Sequence, residues 1–161
     1  MNEKVLKALE YHKILSQLSE YAFSDAAKKR CLSLRPITDR GQIELLQLQT
    51  RDALSRLFRC GSLSFSGVHD VTESLKRLAI GGTLSASELL SICSLLEAAK
   101  RAKAFSRSEK ADVPEDSLTS FFTEIEPLTP LYDEIRRCII ADDEIADDAS
   151  STLRSIRRSM R

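Results

Sequence analysis

Apolar residues recur at intervals of three and four along most of the chain, which is the spacing of one face of an α-helix. The pattern predicts helices over residues 3–22, 25–34, 39–60, 71–80, 85–107, 118–125 and 129–139. Within the first segment two apolar patches are out of phase, so we expect a bend near Tyr11 and His12. The sequence therefore predicts an all-α fold, an irregular helical bundle.

Residues suited to cap a helix stand before several of these segments. Ser24 can accept a hydrogen bond from the first turn of the second helix. Ser85, followed three residues later by Glu88, forms a capping box. Thr129 is expected to cap another helix, with Pro130 at its first position. These residues predict where three helices begin.

The long helix up to residue 60 has a pronounced apolar stripe, which we expect to face the core. The stripe consists of Ile43, Leu46, Thr50, Ala53, Leu54 and Leu57. Thr38 or Asp39 can cap the start of this helix, and Gly61 can end it.

The last part of the chain combines an acidic stretch with the start of a further helix. Residues 140–147 are expected to form a turn or a tiny hairpin, and Ser150 is expected to cap the final helix. The apolar stripe that begins there reaches Met160 without Gly, Asn or Pro to end the helix. We therefore expect a helical core domain over 1–149 and, over 150–161, the start of a truncated lever helix.

Composition narrows the class of protein. The chain has 161 residues, 42% of them hydrophobic and 30% charged, and its formal net charge is zero. A zero net charge argues against a domain that coats nucleic acid through an excess of Lys and Arg. There is no secretory signal and no apolar segment long enough to span a membrane.

The four cysteines lie far apart in the sequence and among aliphatic residues. No pair has the close spacing of a zinc site or a redox motif, so we interpret them as small buried hydrophobic residues. Free thiols of this kind fit a reducing, cytoplasmic location. They are Cys31, Cys60, Cys93 and Cys138.

Few residues are candidates for chemistry. The acidic stretch lacks the glycine and the final glutamate of a calcium loop, and neither His12 nor His69 accompanies a nucleophile motif. We therefore predict no catalytic, cofactor-binding or metal-binding residue in this chain. Four arginines of the last helix are candidates for weak phosphate contacts, although they can equally solvate exposed faces and pair with acids outside the chain. These are Arg154, Arg157, Arg158 and Arg161.

Four runs of residues form a familiar pattern in their order and spacing: Leu9 to Leu15, Phe65 to Asp70, Leu75 to Leu89 and Ile145 to Arg157. Together they resemble the N-terminal region of the second MutS family of bacteria, whose members end in a Smr domain. The resemblance covers essentially the whole chain. Where members often have a glycine in the hairpin, this chain has Asp143.

The resemblance implies a dimeric, clamp-shaped ATPase that binds ATP and Mg²⁺ in other domains. It further implies suppression of recombination through branched DNA, rescue of collided ribosomes with contact to their RNA, and an endonuclease activity in the Smr domain. This chain would be a coupling scaffold without chemistry of its own, and the dimer contacts would lie in other domains. The alternative from the residues is a free-standing helical adaptor that binds a protein partner through an apolar groove.

Overall fold

The computed structural model describes residues 3–107 and 115–160, and within these ranges the fold is all-α, as the sequence predicts. The helices are α1 (Glu3–Ala8), α2 (Tyr11–Glu20), α3 (Asp25–Leu32), α4 (Arg40–Cys60), α5 (Thr72–Ala79), α6 (Ala86–Arg107), α7 (Thr119–Thr123), α8 (Thr129–Cys138) and α9 (Ser151–Ser159). The strands are β1 (Ile139–Ala141) and β2 (Glu144–Ile145). In the described ranges, no helix is both long enough and apolar enough to cross a membrane.

The chain divides into two compact units. The first runs to Ser66 and includes Ala102–Ile125, and the second comprises Gly67–Arg101 and the residues from Glu126 onward. Helix α6 contributes residues to both units. The domain boundary expected after residue 149 stays a prediction.

The first unit begins with two short helices where the sequence predicts one bent helix. The break falls at Glu10, whose φ of 52° is left-handed and ends α1. Lys13 Nζ donates to Glu10 Oε1 at 2.6 Å, which holds the turn into α2. Leu6 and Leu15 are the buried residues of these two helices. The predicted bend is therefore present, just before Tyr11.

Helix α4 starts and ends where the sequence predicts, but it packs on another side. Asp39 Oδ1 accepts from Gln42 N at 2.7 Å to cap the helix. The expectation that the leucines of the apolar stripe face the core is wrong, because Leu46, Leu54 and Leu57 are 48%, 53% and 48% exposed. The packed side instead carries polar residues, and its most buried member is an arginine.

The core of the second unit lies between α6, α8 and the hairpin. Cys93 is fully buried there and packs with Ile135 and Ile139. The predicted capping box opens α6: Ser85 N donates to Glu88 Oε2 at 2.9 Å, and Glu88 N donates to Ser85 Oγ at 3.3 Å. The box thus fixes the start of the helix that carries Cys93.

Helix α8 begins one residue earlier than the capping signal suggests. The N-cap is Leu128, in a left-handed conformation with a φ of 45°, and Thr129 is already the first helical residue. The expected cap at Thr129 is therefore wrong, although Pro130 does lie in the first turn. Pro130 needs no amide donor there and has a φ suited to the helix.

The predicted hairpin follows α8 directly. Ile139 pairs with Ile145 and Ala141 with Glu144 in an antiparallel arrangement with an irregular register. A two-stranded hairpin this short is marginal alone, so its surroundings must hold it.

A glycine pair forms the tight turn after α5. Gly81 has a φ of 81°, and its amide donates to the Leu78 carbonyl at 2.9 Å. Gly82 N donates to the Arg77 carbonyl at 2.9 Å. A Cβ on Gly82 would lie 2.8 Å from that same carbonyl oxygen, so the close approach of the two backbones requires glycine.

Candidate functional site at the hairpin and the last helix

The end of α8 and the segment before α9 are joined by Arg137. Its guanidinium donates from Nη1 to the Asp148 carbonyl at 2.9 Å and from Nη2 to the Ala149 carbonyl at 3.3 Å. The same side chain holds Glu134 through Nε at 2.9 Å and Nη2 at 2.6 Å. One side chain therefore connects a carboxylate of α8 with two backbone carbonyls at the approach to α9.

Arg137 and Glu134 each shift the pKa of the other towards the charged form. Hydrogen bonds from Arg137 are the main reason why the pKa of the Glu134 carboxyl is lowered. The same hydrogen bonds raise the pKa of the Arg137 guanidinium. Both shifts favour the charged forms, which the two groups already adopt at neutral pH.

Helix α9 is fastened to the hairpin by its own arginines. Arg157 Nη1 donates to the Ile145 carbonyl at 3.0 Å and forms an ion pair with Asp147. Arg154 Nη2 lies 3.6 Å from Asp148 Oδ2. The predicted cap is present as well, since Ser150 Oγ accepts from Leu153 N at 3.1 Å. The first turns of α9 thus have a defined orientation relative to the hairpin.

The four candidate arginines do not share one environment. The alternative of acidic partners outside the chain is not needed for Arg154 and Arg157, which pair with Asp148 and Asp147 of the segment after the hairpin. Arg158 is exposed beside them, and Arg161 lies outside the described residues. A phosphate that reached this surface would compete with Asp147 and Asp148, and weak phosphate contact stays a prediction.

Sequence reasoning missed Arg137, which makes the most connections in this region. The spacing of three residues from Glu134 indicates an ordinary helical ion pair. Nothing in the local pattern shows that the same guanidinium also reaches backbone carbonyls eleven and twelve residues later.

The first unit contains a second polar cluster that the sequence did not reveal. Arg56 of α4 donates to Asp116 from Nε and Nη2, both at 2.7 Å, and from Nη2 to Thr119 Oγ1 at 3.1 Å. Its guanidinium carbon lies 4.9 Å from the centre of the Phe122 ring. Arg56 is 2% exposed, so this is a buried ion pair with a planar stacking partner.

The neighbouring turn of α4 repeats the arrangement in weaker form. Asp52 Oδ2 accepts from Ser117 N at 3.0 Å and from Ser117 Oγ at 2.5 Å.

The hydrogen bonds from Arg56 are the main reason why the pKa of Asp116 is lowered to about 2. The cluster therefore fixes α4 to the segment before α7 through charged and polar groups.

The remaining candidates for chemistry stand apart from these clusters. His12 and His69 are both exposed, in the first and second units. Asp70 Oδ1 accepts from Thr72 N at 3.0 Å at the start of α5, which is a structural contact. Within the described ranges, no three His, Cys, Asp or Glu side chains converge on a point that could hold a metal ion.

Comparison with known proteins finds several relatives that carry the same name. No protein-family model matches the chain. It is 58% identical over its whole length to Endonuclease MutS2 of Agathobacter rectalis, and 46% identical to Endonuclease MutS2 of Lachnoclostridium phytofermentans. The corresponding protein of Lachnospira eligens is 44% identical over 99% of the chain.

These matches cover the whole chain but only part of each relative. The chain spans about a fifth of the length of the curated relatives it matches. The all-α fold agrees with the helical core expected from the sequence. The chain is therefore similar over its whole length to the N-terminal part of Endonuclease MutS2 proteins, as the four sequence runs predict.

Proposed function

We propose that this chain is a structural coupling region of a MutS-like ATPase and performs no chemistry of its own. The proposal rests on two sets of contacts that fix the orientation of α9. Arg137 holds the approach to the helix from α8, and Arg157 holds its second turn to the hairpin. A movement of α8 would therefore reorient α9, because these contacts hold the segment between the hairpin and α9 in place.

The wider activity belongs to the longer protein. We propose that ATP and Mg²⁺ bind in other domains, that the protein acts on branched DNA, on ribosomes or on both, and that it dimerises through regions beyond this chain. The name of the relatives, Endonuclease MutS2, supports action on nucleic acid. The fastened α9 would serve as the lever between the nucleotide-binding end and the part that contacts nucleic acid.

The first test is the size of the native product. An immunoblot of native lysate with an antibody against this chain should show a protein about five times as long, like the relatives. The purified 161-residue chain should show no ATP turnover above a mock preparation. A native product of 18.0 kDa, or ATP turnover by the chain alone, would refute the proposal.

The second test addresses coupling in the full-length protein. Arg137→Gln should leave basal ATP turnover unchanged and should abolish most of the change in turnover that a four-way DNA junction or 70S ribosomes produce. Arg136→Gln is the matched control, because Arg136 is the neighbouring exposed arginine of α8 and lies over the Tyr132 ring of its own helix. If the two variants respond alike to both ligands, the fastening of α9 has no coupling role.

A further inference from the structure

Helix α4 packs on one side only, and that side is polar. The residues turned inward recur at spacings of three and four and include Asp52, Arg56 and Cys60. Of these, Asp52 and Arg56 bind the segment before α7 through the hydrogen bonds described above. This side is covered within the first unit.

The leucines of the apolar stripe lie on a different side of α4 and are open to solvent. Leu46, Leu54 and Leu57 are each about half exposed and Thr50 between them is exposed, whereas Ile43 and Ala53 of the same stripe are half-buried. At a rise of about 1.5 Å per residue the stripe from Ile43 to Leu57 is roughly 21 Å long, which is the length of a helix-packing surface.

A shallow groove extends the stripe at its N-terminal end. It is lined by Ile37, Ile43, Leu46, Gln47 and Thr50, all in the first unit. The groove and the three leucines lie along the same side of α4, and we call them together the α4 stripe. Exposed apolar side chains grouped in this way on a folded chain mark an interaction site.

The arrangement reverses the usual order of an amphipathic helix. A surface helix ordinarily turns its apolar stripe inward and its charged residues to water. In α4 an arginine is 2% exposed while three leucines are about half exposed. The buried arginine is paired with Asp116, whereas no part of the described chain fully covers the leucines.

We propose that the α4 stripe is the docking surface for an apolar helix from the remainder of the longer polypeptide. The relatives are about five times as long as this chain, so most of such a protein lies outside it. The inference rests on that part of the proposed function which takes the chain as one region of a longer protein. The occupant should present aliphatic side chains at helical spacing over a matching length.

Cysteine accessibility tests the proposal. Leu46→Cys and Leu54→Cys report on the α4 stripe, and Leu48→Cys is the matched control. Leu48 is 42% exposed and lies on nearly the opposite side of the same helix. Each variant is made both in the 161-residue chain and in the full-length protein, and labelling by a maleimide is followed site by site with mass spectrometry.

In the isolated chain all three cysteines should label at similar rates. In the full-length protein Leu46→Cys and Leu54→Cys should label more slowly by about tenfold or more, while Leu48→Cys should be unchanged. Protection must persist on dilution, because an intramolecular contact does not depend on concentration. As a second readout, Leu54→Asp should lower the thermal unfolding midpoint of the full-length protein and leave that of the chain nearly unchanged.

Three outcomes would overturn the proposal. Equal labelling of all three cysteines in the full-length protein would show an open stripe. Protection that disappears on dilution would assign the stripe to a second copy, and protection that requires an added protein would assign it to an adaptor partner. A native product of 161 residues would instead refute the proposed function, so the two failures are distinguishable.

Discussion

Arg56 and Asp116 are separated by 60 residues of sequence, and their side chains form a two-pronged ion pair with both N···O distances at 2.7 Å. The arginine side chain is 3% exposed and the aspartate side chain 14%. Charges this well buried are stabilising mainly as a pair, since Arg56 alone would lack both water and its carboxylate, and Asp116 alone would keep only Arg59 Nη2 at 4.0 Å as a counter-charge.

Removing one member of this pair should be costly. Arg56→Met is expected to lower the free energy of unfolding by about 3–5 kcal/mol, because it leaves the buried Asp116 with only the more distant Arg59 as a counter-charge. Urea unfolding of the 161-residue chain measures this directly. Arg40→Met is the control on the same helix: its side chain is 90% exposed and pairs with Glu44, so the loss should be about 0.5 kcal/mol or less.

The double variant distinguishes a lost pair from lost packing. Arg56→Met combined with Asp116→Leu should be clearly more stable than Arg56→Met alone, because no unpaired charge is then buried. A double variant as unstable as the single one would show that the arginine acts through its packing on Phe122.

The pair also makes stability depend on pH in a defined direction. The pKa of Asp116 is lowered from 3.8 to about 2 in the folded chain, so the unfolded chain takes up this proton more readily. The resulting stabilisation is complete above pH 5 and is lost as the pH falls towards 2, a difference of about 2 kcal/mol.

Comparison with Asp116→Asn isolates this contribution from that of the other carboxylates. Urea unfolding at several pH values should show the advantage of the unaltered chain over Asp116→Asn shrinking by about 2 kcal/mol between pH 5 and pH 2. An advantage that stays constant over this range would show that Asp116 titrates normally in the folded chain.

The capping box at Ser85 should contribute measurably to stability. Ser85→Ala removes the acceptor for Glu88 N and is expected to destabilise the chain by about 1 kcal/mol. Thermal unfolding followed by circular dichroism gives the value. Ser87→Ala, an exposed serine just inside the same helix, should be neutral or slightly stabilising by up to about 0.5 kcal/mol because alanine favours helix.

The four thiols should differ in reactivity. Cys93 is fully buried, and burial raises the pKa of its thiol, so both access and thiolate fraction are low. Titration of the native chain with a disulfide reagent should modify Cys31, Cys60 and Cys138, which are partly exposed, and spare Cys93. In denaturant all four should react, and rapid native modification of Cys93 would contradict the burial described for it.

Local signals in the sequence predicted the helical fold well. The caps at Ser24, Asp39, Ser85 and Ser150 are all present, because a cap depends only on residues three positions apart. The end of α4 at Gly61 follows from the same kind of local preference.

The errors arise where distant residues decide the structure. Nothing near Arg56 in the sequence indicates Asp116, and so the polar side of α4 could not be recognised as its packed side. Leu128 and Glu10 adopt left-handed backbone conformations that their residue types rarely take. For this reason α8 starts one residue before the predicted position, and the first predicted helix is divided into α1 and α2. At the candidate site, Arg154 and Arg157 were recognised as exposed cations, but their pairing with Asp147 and Asp148 depends on the fold of the hairpin.

The turn after α5 restricts which changes a gene encoding this chain can tolerate. Every missense change of a glycine codon adds a Cβ, and at Gly82 that atom would meet the Arg77 backbone oxygen at 2.8 Å whatever residue is introduced. At Gly81 the left-handed backbone disfavours nearly every replacement for a separate reason, its conformation. Substitutions at these two adjacent codons are thus disfavoured for separate reasons. A change at one codon cannot relieve the strain caused by a change at the other, so we expect most missense mutations in this turn to destabilise the chain.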